Sequence, residues 1–189
     1  MIRNAMSVDV EDWFQVQAYA GAIRRDAWEG LDRRVEANTE RVLDLFDRAG
    51  VRATFFTLGW VAERHPGLVR RIVAAGHELA SHGYGHELVH RIGEAAFRAD
   101  IRHARRVLED AGGVAVRGYR APTFSIGPRL TPWAHGVLAE EGHLYSCSLF
   151  PIRHDVYGEA EAPREPHLPR PEGVVELPMT TLRLGGRNL

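Results

Sequence analysis

Leu45-Phe46-Asp47-Arg48-Ala49-Gly50-Val51, running on into Ala53-Thr54-Phe55-Phe56-Thr57-Leu58, is the stretch whose reading decides the fold. It reads as the end of a helix, a glycine stop and a short β-type run. Glycine at the first non-helical position accepts the left-handed conformation that closes a helix. The same plan recurs at Ile72-Val73-Ala74-Ala75-Gly76-His77, at Val107-Leu108-Glu109-Asp110-Ala111-Gly112-Gly113 and at Val137-Leu138-Ala139-Glu140-Glu141-Gly142-His143. A helix is followed by a strand four times.

Outward from these stops, the apolar residues keep helical spacing. Val42, Leu45, Phe46 and Ala49 form one stripe behind an Asn38 cap. Leu68, Val69, Ile72 and Val73 follow Pro66, which suits a first turn because its missing N–H is not needed there. Phe97, Ile101, Ala104 and Leu108 form a third stripe, and Thr131-Pro132 opens a fourth helix. The β-type runs are Ala5 to Val10, Ala53 to Leu58, His77 to Ser81, Val116 to Tyr119, Leu144 to Ser148 and Val174 to Leu177. Strands alternating with helices in this way predict parallel pairing with right-handed crossovers, hence an α/β sheet or barrel. In such folds ligands bind beyond the C-terminal strand ends. Asp9, Thr57, His82, Arg120 and Ser146 all fall at those ends, so residues far apart in sequence are expected to line one rim.

Composition narrows what that rim can do. The chain has 189 residues, 44% hydrophobic and 26% charged, ordinary usage for a globular domain able to bury a core. Its 24 basic residues, all arginine, balance 25 acids to a net charge of −1. A balanced chain offers no general field for nucleic acid or anionic membrane. The single cysteine, Cys147, excludes an internal disulfide and a multi-cysteine zinc cluster. The N-terminal Met1-Ile2-Arg3-Asn4-Ala5-Met6 shows no apolar leader, and no apolar stretch is long enough to span a bilayer. A soluble, cytoplasmic protein is expected. The segment from Pro151 to Gly173, with Pro163, Pro166, Pro169 and Pro171, reads as a long surface loop able to overhang the strand ends.

Chemistry concentrates in Ser81-His82-Gly83-Tyr84-Gly85-His86. Two histidines four apart can face one cation, and imidazole is the commonest side-chain ligand for zinc and its neighbours. A catalytic metal needs about three protein ligands and an open position. Ser7-Val8-Asp9-Val10-Glu11-Asp12-Trp13 supplies three acids from which the third ligand can come. A lone H-x-x-x-H is weak evidence; the strand-end acids and Arg120 strengthen it. His65, His77, His90, His103, His135 and His143 read as surface or helix-end residues. Trp13, Tyr84 and Phe124, next to the motifs, can form a platform on which a sugar stacks.

Taken together, these motifs resemble the polysaccharide deacetylases of the NodB-homology type, carbohydrate esterase family 4, and most closely the branch associated with bacterial exopolysaccharide and exosortase loci. Residues 7 to 16 resemble the family's first motif, His82 to His86 its histidine motif, and Arg120-Ala121-Pro122 its third. Ser148 to Gly158 (SLFPIRHDVYG) is similar to a segment typical of that branch. The resemblance implies a single domain over residues 1–189, a deformed (β/α) barrel with seven strands in the family. It implies a divalent metal, usually zinc, held by a first-motif acid and both histidines. Asp9 is then the general base and Arg120 the group that holds it ionised and aimed.

For the acidic ligand the choice lies between Glu11 and Asp12. Glu11 shares Asp9's face if the strand continues, since side chains alternate with period two; Asp12 serves if the chain turns first. The family's general acid is usually a histidine near the C-terminal end, and none follows Val174 here. His154 and His167 in the late loop are the substitutes on offer, and His154 is the one expected to act. An incomplete C-terminal end to the barrel is the other explanation, and the expected one. The activity implied is removal of acetyl groups from N-acetylated hexosamines in a polysaccharide or oligosaccharide. The rivals are hydrolysis of a small cyclic amide or ureide, and a non-catalytic carbohydrate-binding remnant.

Overall fold

A computed structural model describes residues 5–154, 157–185 and 187–188. Met1 to Asn4, where no apolar leader is expected, and Asp155 and Val156 of the segment Ser148 to Gly158 lie outside them. The fold is α/β with parallel strands. One compact unit comprises Met1–His86 and His103–Val116, and the other Glu87–Arg102 and Arg117–Leu189.

In the first unit β1 (Met6–Val10), β2 (Ala53–Thr57) and β3 (Glu78–Ser81) pair in parallel in that order. Phe55 and Phe56 are adjacent on β2, so they point to opposite faces, and both are buried, which is why the strand carries apolar residues on both faces rather than alternating. The helices between the strands are α1 (Val35–Ala49), α2 (Gly59–Arg64) and α3 (Pro66–Ala74), and Pro66 opens α3 as expected. Phe46 of α1 meets Phe55 edge to face at 6.1 Å between centroids. Each such fully buried side chain contributes roughly 1.5–3 kcal/mol by leaving water.

Helix α1 departs from expectation in its start and its face. It begins at Val35, not behind Asn38, because Asp12, 23 residues upstream of Val35, accepts the first N–H groups. The buried stripe is Val35, Thr39, Leu43 and Phe46, and Leu45 is 54% exposed. All four expected glycine stops hold: Gly50, Gly76, Gly113 and Gly142 take positive φ.

The second unit pairs β4 (Gly118–Tyr119), β5 (Tyr145–Ser146) and β6 (Val175–Glu176), again in parallel. These strands are shorter than the runs that predict them. Single ladder bonds continue past them, from Leu144 N–H to Arg117 O and from Leu177 N–H to Ser146 O, both 2.8 Å. Helix α4 (Val89–Gly112), interrupted by the non-helical Gly93, sends Phe97 and Ile101 into this core. Helix α5 (Ala134–Glu140) adds Ala134, Val137 and Leu138. The proline-rich segment 151–173 contains no helix or strand among the described residues. It returns to β6 through His167, which exchanges backbone hydrogen bonds with Glu176 at 2.8 and 3.1 Å. The last strands, β7 (Arg183–Leu184) and β8 (Arg187–Asn188), pair antiparallel. Among the described residues no helix is long and apolar enough to cross a membrane.

Candidate metal centre

Strand register builds the site. Val10 aligns with Thr57 and Thr57 with Ser81, the last residues of β1, β2 and β3. The ladder runs one step further through Leu58 N–H to Val10 O at 3.3 Å and His82 N–H to Thr57 O at 3.0 Å. Glu11 and His82 are therefore the first residues off the C-terminal end of the sheet, where α/β folds place ligands. His86 reaches the same point from the loop that follows β3. The ligand atoms of Glu11, His82 and His86 all lie within 4.8 Å of one another, the one such group of three among the described residues.

The loop that presents the histidines is pinned along its length. Gly59 and Trp60, at the start of α2, donate their N–H groups to Gly83 O and Tyr84 O, both at 2.9 Å. The Gly83 N–H donates to Ser81 Oγ at 3.2 Å. Tyr84 donates its hydroxyl to Glu63 Oε2 at 2.7 Å and lies against the His103 ring. Burial, and next the Glu63 carboxylate, raise the Tyr84 pKa above its ordinary value. His86 itself takes φ 57°, the left-handed region that costs a residue with a Cβ roughly 1–2 kcal/mol. Strain of this kind persists only where surrounding contacts enforce it.

The donor set fits a cation. His82 and His86 are both buried. Glu11 Oε2 is buried with no group donating to it in hydrogen-bond geometry, although His86 Nε2 stands 3.0 Å away. Two ligand-type atoms side by side, with no hydrogen bond joining them, form an arrangement that a cation resolves. One carboxylate and two imidazoles suit zinc and its neighbours in particular.

Asp12, the alternative ligand, is placed elsewhere. Its Oδ2 accepts the N–H groups of Arg34 at 2.9 Å and Val35 at 3.1 Å, and its Oδ1 accepts that of Trp13 at 2.9 Å. The chain does turn after Glu11, but the turn sends Asp12 to the start of α1. Asp9 sits on β1 in register with Phe56, two positions before Glu11. Trp13, read as a stacking platform, is held by its indole N–H on Asp32 O at 3.0 Å.

Arg120 and His154 belong to the second unit. Arg120 is buried just after β4 and donates through Nε to Cys147 O at 3.2 Å, with Nη2 3.0 Å from Cys147 Sγ. His154 stacks on Tyr157 with centroids 4.0 Å apart, beside Phe124 and His90 at a small cavity of about 170 Å³.

Three histidines read as surface or helix-end residues, His77, His135 and His143, are buried. His77 accepts the Ala53 N–H on Nδ1 at 3.2 Å and packs on Phe55, and burial lowers its pKa. His135 pairs with Glu176, Nε2 to Oε2 at 3.0 Å. Glu176 is wholly buried at the end of β6, and its Oε1 accepts the N–H groups of Ser148 at 2.7 Å and Leu149 at 2.9 Å. The signal that could have found it was an acid inside the apolar run Val174-Val175-Glu176-Leu177.

Two histidines and a carboxylate at the C-terminal end of a parallel α/β sheet stand where such folds bind ligands, and the relatives of this chain narrow the class. Residues 26–135 match the family model for polysaccharide deacetylases, and residues 147–189 match that of a domain of unknown function, DUF3473. The chain belongs to the polysaccharide deacetylase family. A peptidoglycan-N-acetylglucosamine deacetylase from Bacillus cereus is 33% identical over 96 residues, 51% of this chain and 35% of that protein. A candidate polysaccharide deacetylase from Mycobacterium smegmatis has a crystal structure that superposes with TM-score 0.69 at 30% identity. The match covers 93% of this chain and 58% of that one. An allantoinase shares the fold, with TM-score 0.66 at 24% identity over 93% of this chain and 61% of its own. This chain thus spans about a third of the length of the Bacillus cereus relative.

Proposed function

We propose that this protein is a divalent-metal-dependent deacetylase, with zinc the best-suited ion, that removes acetyl groups from N-acetylated hexosamines in a bacterial exopolysaccharide. The observation that supports it most is the convergence of Glu11, His82 and His86 at the end of the sheet. The Bacillus cereus relative, a peptidoglycan-N-acetylglucosamine deacetylase, supports the same reading.

In this reading Glu11, His82 and His86 hold the ion, and Asp9 is the general base. The chemistry a divalent cation would supply there is polarisation of the amide carbonyl and a lowering of water's pKa toward neutrality. Asp9 takes a proton from the attacking water as the new C–O bond forms. The tight, buried histidine loop holds both imidazoles in fixed orientation, so little ordering remains to be done when substrate arrives. Cleavage of the C–N bond then yields acetate and a free amino sugar, with a proton delivered to the departing nitrogen. Asp12 has no part in this, and Arg120 and His154, which come from the family motifs, are given no step.

The test is release of acetate from N-acetylglucosamine oligomers by the whole protein, before and after chelation and with zinc restored. Acetate release that is lost on chelation and returns with zinc supports the reading. Hydrolysis of allantoin in its place would move the activity to ureides. A protein that binds oligomers but releases nothing from them would be a binding remnant.

A further inference from the structure

Arg25 stands 60 residues before Gly85 in the chain, yet its guanidinium closes on the histidine loop. It opens the short 3-10 turn Arg25–Gly30 and donates from Nη2 to the carbonyl oxygen of Gly85. Its Cζ lies 4.9 Å from the centre of the Trp28 ring. Trp28 is itself buried between Phe14 and Trp60, with centroids 5.7 and 5.6 Å away. A cation over a fixed indole face is held in place by the ring quadrupole, so the arginine approaches the loop from a rigid support.

The atom it grips matters. Gly85 O belongs to the peptide unit that joins Gly85 to His86, and a peptide unit is planar. Fixing that oxygen fixes the plane from which the His86 φ is measured, and His86 is the loop residue with a Cβ that adopts the left-handed value of 57°. Gly85 is not in the left-handed region, so its backbone alone would accept a side chain. What excludes one is Arg25, because a Cβ on Gly85 would lie 2.8 Å from Nη1 and 3.1 Å from Cζ.

We propose that Arg25 is a positioning residue for the metal centre: supported on Trp28, it clamps the Gly85–His86 peptide and so aims the His86 imidazole toward Glu11. The proposal rests on the reading of Glu11, His82 and His86 as metal ligands. It also explains why residue 85 is glycine, since the clamp needs the space a side chain would fill.

The test measures zinc affinity by competition with a chromogenic chelator, well below the unfolding temperature, so that activity is not the readout. Arg25→Ala is expected to weaken zinc binding by about ten- to a hundredfold, the usual loss when an outer partner of a metal ligand is removed. Arg25→Lys, which keeps one donor but loses the planar fork, should recover part of that loss. Gly85→Ala should weaken binding like Arg25→Ala, and the double variant should bind no worse than either single one, because both changes open the same clamp. Wild-type zinc affinity in Arg25→Ala, with or without a lowered melting temperature, overturns the proposal while leaving the metal site standing. Losses that multiply in the double variant overturn it as well. A wild-type protein that binds no zinc overturns both the site and the clamp.

Discussion

Asp12 caps the helix that begins at Val35, accepting that residue's N–H at 3.1 Å, while its neighbour Glu11 faces the two histidines. Adjacent acids thus have separate duties, one architectural and one available for chemistry. Replacing Asp12 with alanine removes a buried cap and takes the acceptor from three N–H groups, those of Trp13, Arg34 and Val35. The expected loss of stability is about 1–2 kcal/mol, read from urea denaturation. Zinc affinity of the folded variant should stay within a few-fold of wild type. A loss of zinc as deep as in a Glu11 variant would return Asp12 to the ligand set.

Glu11→Gln and His82→Ala should behave in the opposite way. A ligand that binds only the folded state stabilises it, by about 4 kcal/mol at a thousand times its dissociation constant. Wild-type protein should therefore melt at a higher temperature with zinc than after chelation. Both variants should show little or no such difference, because each removes one of three ligands. Calorimetry with and without zinc decides this without any substrate.

Asp9→Asn separates holding the ion from using it. Asparagine is nearly the same size and cannot take a proton from water. Turnover of an N-acetylated oligomer should fall by at least about a hundredfold, the lower range for loss of a general base. Zinc content should be unchanged. Unchanged turnover would remove Asp9 from the mechanism.

Much of this was legible in the sequence because the deciding signals are local. The glycine stops and the apolar strand runs each depend on a few neighbouring residues, and the histidine pair falls at the end of such a run. Phe97, Ile101, Ala104 and Leu108 are buried as their spacing predicts. What stayed hidden depends on long-range contact. The cap on α1 comes from Asp12, so Asn38 looked like the helix start when it lies inside the helix. That displaced start also hides which face is buried: the spacing puts Leu45 in the core, but Leu43 fills that position. Glu11 and Asp12 could not be separated by type, only by where the chain turns. His77 and His135 looked like surface residues because their partners, Ala53 and Glu176, lie 24 and 41 positions away.

Glu176 should leave a mark on acid stability. Burial alone pushes its carboxyl up, but the His135 imidazole and the Leu149 N–H outweigh that and hold it below the ordinary carboxylate value. Because a carboxylate only accepts, the proton between them belongs to His135 Nε2. A group whose pKa is depressed in the folded state stabilises the fold above its unfolded pKa, near 4.3 for glutamate, roughly. That contribution drains away as pH falls toward the folded value. Glu176→Gln should therefore cost about 1.5–3 kcal/mol at pH 7, the range for hydrogen bonds to a charged group. The gap between wild type and variant should stay level above about pH 5 and narrow below about pH 4. Chemical denaturation of the two proteins across that interval measures it, and a gap that does not change with pH would show that the Glu176 carboxyl is not held ionised by its partners.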